Sequence, residues 1–170
     1  MTVPFPEPNR PAASRGEVLL EYLDFFRSRL VSRIGALPAG ELSRSQVPSG
    51  WTPAELLNHC AHVELRWLEW RFEGRDVAEP WGDDRDGHWH VAAGEGFERL
   101  AAALRAQAAR TRAIVESHDL GEVGRPSDRW PGGGAPATLE RVLLHLLQEY
   151  ARHLGHLDIA SELAGGQTGE

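Results

Sequence analysis

Four stretches of this sequence repeat apolar residues every three or four positions, which is the spacing of one face of an α-helix. The first stretch opens with Ser14 and Glu17, the pattern of a capping box. The second opens with Thr52, followed by Pro53 and Glu55. No stretch is typical of a strand. The predicted helices run from 14 to 35, from 52 to 74, from about 94 to 120 and from 138 to 165.

Amphipathic helices bury their apolar faces against one another, so four of them predict an all-α four-helix bundle. We expect one domain over residues 14–170, preceded by an extended lead-in over residues 1–13 that holds four prolines. The connections near 36–51, 74–93 and 119–136 are long. Connections longer than about 12 residues are often functional.

Composition excludes several classes of function. The net charge is −7, and the chain has no basic stripe, so neither nucleic acid nor an anionic membrane is an expected partner. No apolar run is long enough to span a bilayer, and the N-terminus lacks the apolar core of a signal peptide. A single cysteine allows no intramolecular disulfide. A cytoplasmic protein is therefore the expectation.

The last predicted helix carries four side chains that could bind a metal. With His153 set at 0° and about 100° per residue, Glu149, His156 and His145 fall near −40°, −60° and −80°. This arc borders the apolar stripe of the helix, where an unpaired charge is costly. Glu149 and His153 lie one turn apart, so their ligand atoms can meet at one ion. The alternative is a Glu–His hydrogen bond at a solvated helix edge.

A third side chain of this kind, His59, lies at the edge of the apolar face of the second helix. Two helices of one bundle could therefore direct His59, Glu149 and His153 at one point. Two imidazoles and one carboxylate form catalytic zinc sites with an open fourth position, and the same set binds Fe(II).

Two segments carry a family resemblance: L-L-N-H-C-A-H-V-E in the second helix and Q-E-Y-A-R-H-L-G-H-L-D in the fourth. They resemble the DinB-like superfamily, most closely its actinobacterial subgroup of mycothiol-dependent S-transferases and maleylpyruvate isomerases. The resemblance implies a four-helix bundle with a divalent metal held by His59, Glu149 and His153. It also implies a low-molecular-weight thiol such as mycothiol as cofactor and an electrophilic small molecule as substrate. The isomerase relatives have a further C-terminal domain, so we expect a stand-alone transferase or a metal protein of unassigned reaction.

Other residues have expected roles around this site. His156 is predicted to act as a catalytic residue, either as a hydrogen-bond partner of the ligands or as a proton shuttle. Cys60 lies on the apolar face of its helix and is predicted to be a buried structural thiol. His145, His62 and Asp158 are expected to be structural, although His62 could form a hydrogen bond near the site.

The loop W-G-D-D-R-D-G-H-W-H is interpreted as a lid. Trp81, Trp89 and His90 would bind the cofactor, while Gly82 and Gly87 would supply flexibility. A calcium loop is disfavoured, because the position that needs a glutamate is an alanine.

Three functions remain open. The leading one is a zinc-dependent thiol S-transferase with an unknown electrophile, although nickel or iron could take the place of zinc. The second is a metal-dependent hydrolase in which Glu64 or His156 acts as the base. The third is a non-enzymatic metal-containing binding or dimerisation module. A homodimer is left open by the exposed helix faces.

Overall fold

The computed structural model describes residues 3–38 and 40–165. The expected four-helix bundle is confirmed. Two short 3₁₀ turns interrupt the connections, at Glu41–Ser43 and Pro131–Gly133. The four main helices are α1 (Arg15–Gly35), α2 (Pro53–Leu65), α3 (Phe97–Ser117) and α4 (Leu139–Leu163).

Each helix packs against two main neighbours. The α1 helix packs most extensively on α4, and α2 packs most extensively on α3. Helix α1 also contacts α3, and α2 also contacts α4. The core between the helices is built mainly of leucines with no solvent exposure: Leu23, Leu56, Leu57, Leu68, Leu139, Leu143, Leu146 and Leu157. None of the helices in the described residues is long and apolar enough to cross a membrane.

The start of α2 is fixed by the predicted capping box. The Glu55 amide donates to Oγ1 of Thr52 at 3.3 Å, and the Thr52 amide donates to the Glu55 carboxylate at 2.8 Å. At α1 only half of the box forms, because Glu17 accepts from the amide of Ala13 rather than from that of Ser14. The complete box at α2 sets the rotation of the helix that carries His59.

The second helix differs from its prediction. It does not continue as an α-helix to residue 74, because the segment Arg66–Phe72 is a π-helix. A π turn holds more residues than an α turn, so it rotates the following side chains away from the face that an α-helix would present. The third helix also begins later than predicted, at Phe97, because Gly96 is its extended N-cap residue.

The expectation that the chain has no strand was wrong in one place. Two-residue strands β1 (Asp84–Arg85) and β2 (His88–Trp89) pair as an antiparallel hairpin. Asp86 and Gly87 form its turn with φ of 57° and 79°, the positive values that a tight hairpin turn requires. Gly87, which was expected to give the loop flexibility, therefore shapes a tight turn. The other glycine expected to give flexibility, Gly82, is packed so closely that a Cβ there would lie 2.8 Å from Nε2 of His62.

One polar network crosses the centre of the bundle and takes one residue from each helix. The carboxylate of Glu64 on α2 is fully buried and accepts two hydrogen bonds from Arg27 on α1, at 2.8 and 2.7 Å. Thr111 on α3 donates to the same carboxylate at 2.6 Å, and Tyr150 on α4 donates as well. Because these four bonds occupy its oxygens, the prediction that Glu64 could act as a hydrolytic base was wrong.

Candidate metal centre

Helices α2 and α4 bring together the three side chains that the sequence singled out. His59, Glu149 and His153 each offer a ligand atom, and these atoms all lie within 4.8 Å of one another. The Nε2 atom of His153 lies 3.1 Å from Oε2 of Glu149. The rings of His59 and His153 meet edge-on, with centroids 5.0 Å apart. Two imidazole nitrogens and one carboxylate oxygen are donors that zinc accepts.

The protonation states of two of these groups suit a cation. Burial lowers the pKa of His59, which favours the neutral imidazole. A hydrogen bond from His153 lowers the pKa of Glu149, which favours the carboxylate. Metal ligands must be deprotonated in this way. His153 is itself buried, and its Nδ1 atom has no hydrogen-bond partner among the described residues. The donor set and its charges therefore fit a divalent ion.

Asp83 orients one of these histidines, a role that the sequence did not reveal. Its Oδ2 atom lies 2.8 Å from Nδ1 of His59, which leaves Nε2 of that ring free to bind a metal ion. Arg66 donates to both oxygens of the carboxylate. Burial alone would raise the pKa of Asp83, but the bonds from His59 and Arg66 outweigh it and lower that pKa. The loop holds three aspartates, and only its folded path shows which of them reaches α2.

We expect the substitution Asp83→Asn to lower the affinity for zinc by about 10- to 100-fold, which is the usual cost of losing an outer carboxylate partner of a histidine ligand. A competition titration with a zinc chelator measures this affinity. Asp86→Asn is the matched control, because Asp86 is exposed and asparagine tolerates its positive φ. Equal affinities of the two variants would contradict the role of Asp83.

The hairpin loop lies against the three side chains through one tryptophan. The Trp89 ring stacks on His59 at 4.3 Å between centroids and meets His153 edge-on at 5.1 Å. Trp81 is half exposed and packs instead against Arg66, whose guanidinium carbon lies 4.4 Å from the centroid of the Trp81 ring. His90 holds the loop through its backbone, because its amide donates a hydrogen bond to the carbonyl of Asp83 at 2.7 Å. We call His59, Glu149 and His153 the trio. Of the three predicted cofactor-binding residues, Trp89 alone is brought against the trio.

Three further histidines lie on the two helices that carry the trio. The ring of His156 lies 5.6 Å from that of His153, and burial lowers its pKa. His145 places Nε2 3.6 Å from Oε1 of Glu149. His62 pairs with the carbonyl of Asn58 at 3.0 Å.

Two further expectations concern residues outside the trio. Cys60 is buried, and burial raises the pKa of its thiol well above the ordinary value, so it is a poor nucleophile. Asp158 forms an ion pair with Arg33 on α1. Both residues have the structural surroundings that were expected.

A cavity of about 550 Å³ lies elsewhere, between α1 and α3. Its wall includes Arg27, Ser28 and Leu104. The guanidinium of Arg27 is already bound to Glu64 and Asp24, so this cavity offers no unpaired buried charge. The chemistry of the α2–α4 site is therefore the stronger indication of function.

The chain is similar in sequence to one protein family and in fold to solved structures. A family model described as mycothiol-S-transferase matches residues 18–166. No curated protein matches the chain. One similar solved structure is that of YfiT from Bacillus subtilis, which is described as "a probable metal-dependent hydrolase with an unusual four-helix bundle topology". It has a TM-score of 0.63 and 17% identity, and the match covers 95% of this chain and 94% of that one. A conserved protein from Enterococcus faecalis has a TM-score of 0.61 and 18% identity, over 92% of this chain and 100% of that one.

Proposed function

The chain belongs to the mycothiol-S-transferase family, and from that premise we propose that it joins mycothiol to an electrophilic small molecule at a zinc site. His59, Glu149 and His153 would hold the ion. The observation that carries the proposal is this trio of two imidazoles and one carboxylate, whose ligand atoms all lie within 4.8 Å of one another. Three protein ligands leave a fourth position for another molecule, which is the arrangement of catalytic zinc sites.

The zinc ion would supply one property, a lowered pKa for a thiol that binds beside it. The protein supplies the surroundings. Asp83 holds the His59 ring in one orientation, and Trp89 covers both histidine rings and keeps water from that side. In the transfer, the sulfur of the thiol forms a bond to the electrophilic carbon, and the leaving group departs with its electron pair.

His156 is proposed to accept the proton that the thiol loses. Its ring is half-buried, lies beside that of His153 and faces Trp51 at 6.5 Å between centroids. Burial lowers its pKa, so the neutral, proton-accepting form already predominates below the usual histidine value of about 6.5. A base in that state suits catalysis near neutral pH.

We expect His156→Gln to lower kcat by about 100-fold, at the lower end of what general base catalysis contributes. The zinc content should stay unchanged, since His156 is not among the three proposed ligands. Steady-state kinetics together with elemental analysis measure both quantities. The wild-type rate should fall as the pH drops through the lowered pKa of His156, and the variant should lose that acid limb. A variant with wild-type kcat would contradict the assignment.

The proposal as a whole is tested by incubating the zinc-loaded chain with mycothiol and monobromobimane, which becomes fluorescent when a thiol displaces its bromide. We expect turnover above the uncatalysed rate that requires both zinc and mycothiol. Replacing mycothiol with an equal concentration of a simple thiol shows whether the cofactor is recognised. A rate equal to the uncatalysed rate at every thiol concentration would contradict the transferase.

A metal-dependent hydrolase is the second candidate, because the structural neighbour from Bacillus subtilis is described as a probable one. The same three ligands would serve, and His156 would act as the base in place of Glu64, which is engaged at the centre of the bundle. Activity that does not depend on any thiol would favour this candidate over the transferase. Screening ester and amide substrates in thiol-free buffer makes the distinction.

A further inference from the structure

The π-helical segment and the loop after it form a group of large side chains that the proposed chemistry does not use. We call Trp67, Trp70 and Arg71 of the segment, together with Trp81 of the loop, the aromatic cluster. The guanidinium carbon of Arg71 lies 4.2 Å from the ring centroid of Trp67, 5.6 Å from that of Trp70 and 6.0 Å from that of Trp81. Isolated π turns are frequent at functional sites. Here the π turn places Trp67 and Trp70 beside Arg71, and the following loop adds Trp81.

Arg71 differs from the other buried arginines of the described residues. Arg27 and Arg66 are each 5% exposed, and each binds a carboxylate, from Glu64 and Asp83. Arg71 is 7% exposed and forms no ion pair with a described residue. The terminal nitrogens of Arg71 still reach solvent, so an anion from solution can bind them and offset the desolvation of the rest of the group.

The hydrogen-bond donors of Arg71 are also incompletely used. Its Nε atom donates to the backbone carbonyl of Arg129 at 2.8 Å. Its two terminal nitrogens have no acceptor among the described residues. A planar guanidinium with free terminal donors matches the two oxygens of a carboxylate. Burial, and then the charge of Arg66, lower the pKa of Arg71, although an arginine stays charged at neutral pH.

Two chains of side-chain contacts connect the aromatic cluster to the proposed metal centre. In the first, the Trp67 ring lies 4.4 Å from that of His145, whose Nε2 is 3.6 Å from Glu149. In the second, Trp81 covers Arg66, and Arg66 binds the carboxylate that orients His59. A molecule that contacts Arg71 could therefore extend along Trp67 toward the trio.

We propose that Arg71 binds a carboxylate group on the electrophilic substrate, so that the enzyme prefers electrophiles that carry a carboxylate on a flat apolar body. The inference rests on the proposed transferase for the identity of the ligand as substrate. The tryptophan rings would contact the apolar body.

A binding measurement tests this without any turnover. The probes are para-toluate and its neutral analogue para-toluamide, titrated into the full chain without thiol and followed by tryptophan fluorescence. We expect toluate to bind about 10- to 100-fold more tightly than toluamide, as expected of a hydrogen-bonded charge pair. Arg71→Gln should remove that preference and leave toluamide binding unchanged. Arg99→Gln, an exposed arginine of α3, is the matched control.

The same titration is repeated after zinc removal. Toluate preference that survives zinc removal and is lost in Arg71→Gln supports the proposal. Preference that disappears with zinc but persists in Arg71→Gln would place the carboxylate on the ion and overturn it. Equal binding of toluate and toluamide to the wild type would also overturn it, with no variant required. Arg71→Lys, which keeps the charge, should retain part of the preference if Arg71→Gln proves unstable.

A turnover measurement separates this inference from the proposed function. The substrates are para-(bromomethyl)benzoate and the corresponding benzamide, each of which loses bromide when the thiol sulfur bonds to its benzylic carbon. The ratio of the two kcat/KM values should fall by about 10- to 100-fold in Arg71→Gln. Transfer with an unchanged ratio would overturn the role of Arg71 and leave the transferase standing. Preferential toluate binding without any thiol transfer would overturn the transferase and leave the carboxylate-binding role of Arg71 standing.

Discussion

The substitution His153→Ala is expected to lower the affinity for zinc by more than about 100-fold, the upper end of what losing an outer partner of a ligand costs. His153 is the buried member of the trio, and Glu149 pairs with its Nε2 atom. Removing the ring leaves one imidazole and one carboxylate, which is too few donors for a zinc site. Thiol transfer should fall with the zinc content. Elemental analysis after dialysis and the bimane assay measure the two effects.

The matched control for this variant is His118→Ala. His118 lies beyond the end of α3 and pairs with Glu122 at 2.9 Å, remote from the trio. It should retain zinc and activity. Because His153 is buried, the variant also leaves a cavity, so its folding is checked by circular dichroism. A folded His153→Ala protein with full zinc occupancy would refute the proposed ligand set.

The second large effect concerns stability. We expect Arg27→Met to lower the free energy of unfolding by about 3–5 kcal/mol, the usual cost of leaving one member of a buried ion pair without its partner. Arg27 gives two hydrogen bonds to Glu64, a carboxylate with no solvent exposure. Urea unfolding followed by circular dichroism measures the change. Arg15→Met is the control, since its pair with Glu140 is exposed and should contribute at most about 1 kcal/mol.

A double variant shows whether the cost comes from the charge left behind. Arg27→Met combined with Glu64→Met removes both charges, so it should be less destabilised than the sum of the two single changes. The hydroxyls of Thr111 and Tyr150 would still lose their acceptor, so part of the cost should remain. Strict additivity of the two changes would show that the pair contributes no coupling energy.

Local information was enough to predict the helices. Capping residues such as Thr52 and the periodic leucines act within one or two turns, so their effects are visible in the sequence. The arc on α4 was also visible, because the positions of Glu149 and His153 on one helix follow from helix geometry alone. Adding His59 required only that α2 and α4 be neighbours, which a bundle of four helices makes natural.

Other features depended on contacts between distant parts of the chain. The sequence contains the Asp86–Gly87 turn signal, but a pair of two-residue strands is too short to show an alternating pattern. The π turn leaves no simple periodic signature, so the placement of Arg71 among tryptophans was not predictable. The sequence leaves Glu64 available as a base, because its hydrogen-bond partners come from three other helices.

The sequence by itself therefore determined the bundle and proposed the trio His59, Glu149 and His153, because turn-by-turn spacing along a helix fixes which side chains share a face. Only the tertiary structure decided the surroundings of that trio. It brought Asp83 to His59, stacked Trp89 over the site and left Arg71 buried without an anion. These outcomes depend on the path of a long loop and on packing between helices. Neither is encoded in the spacing of neighbouring residues.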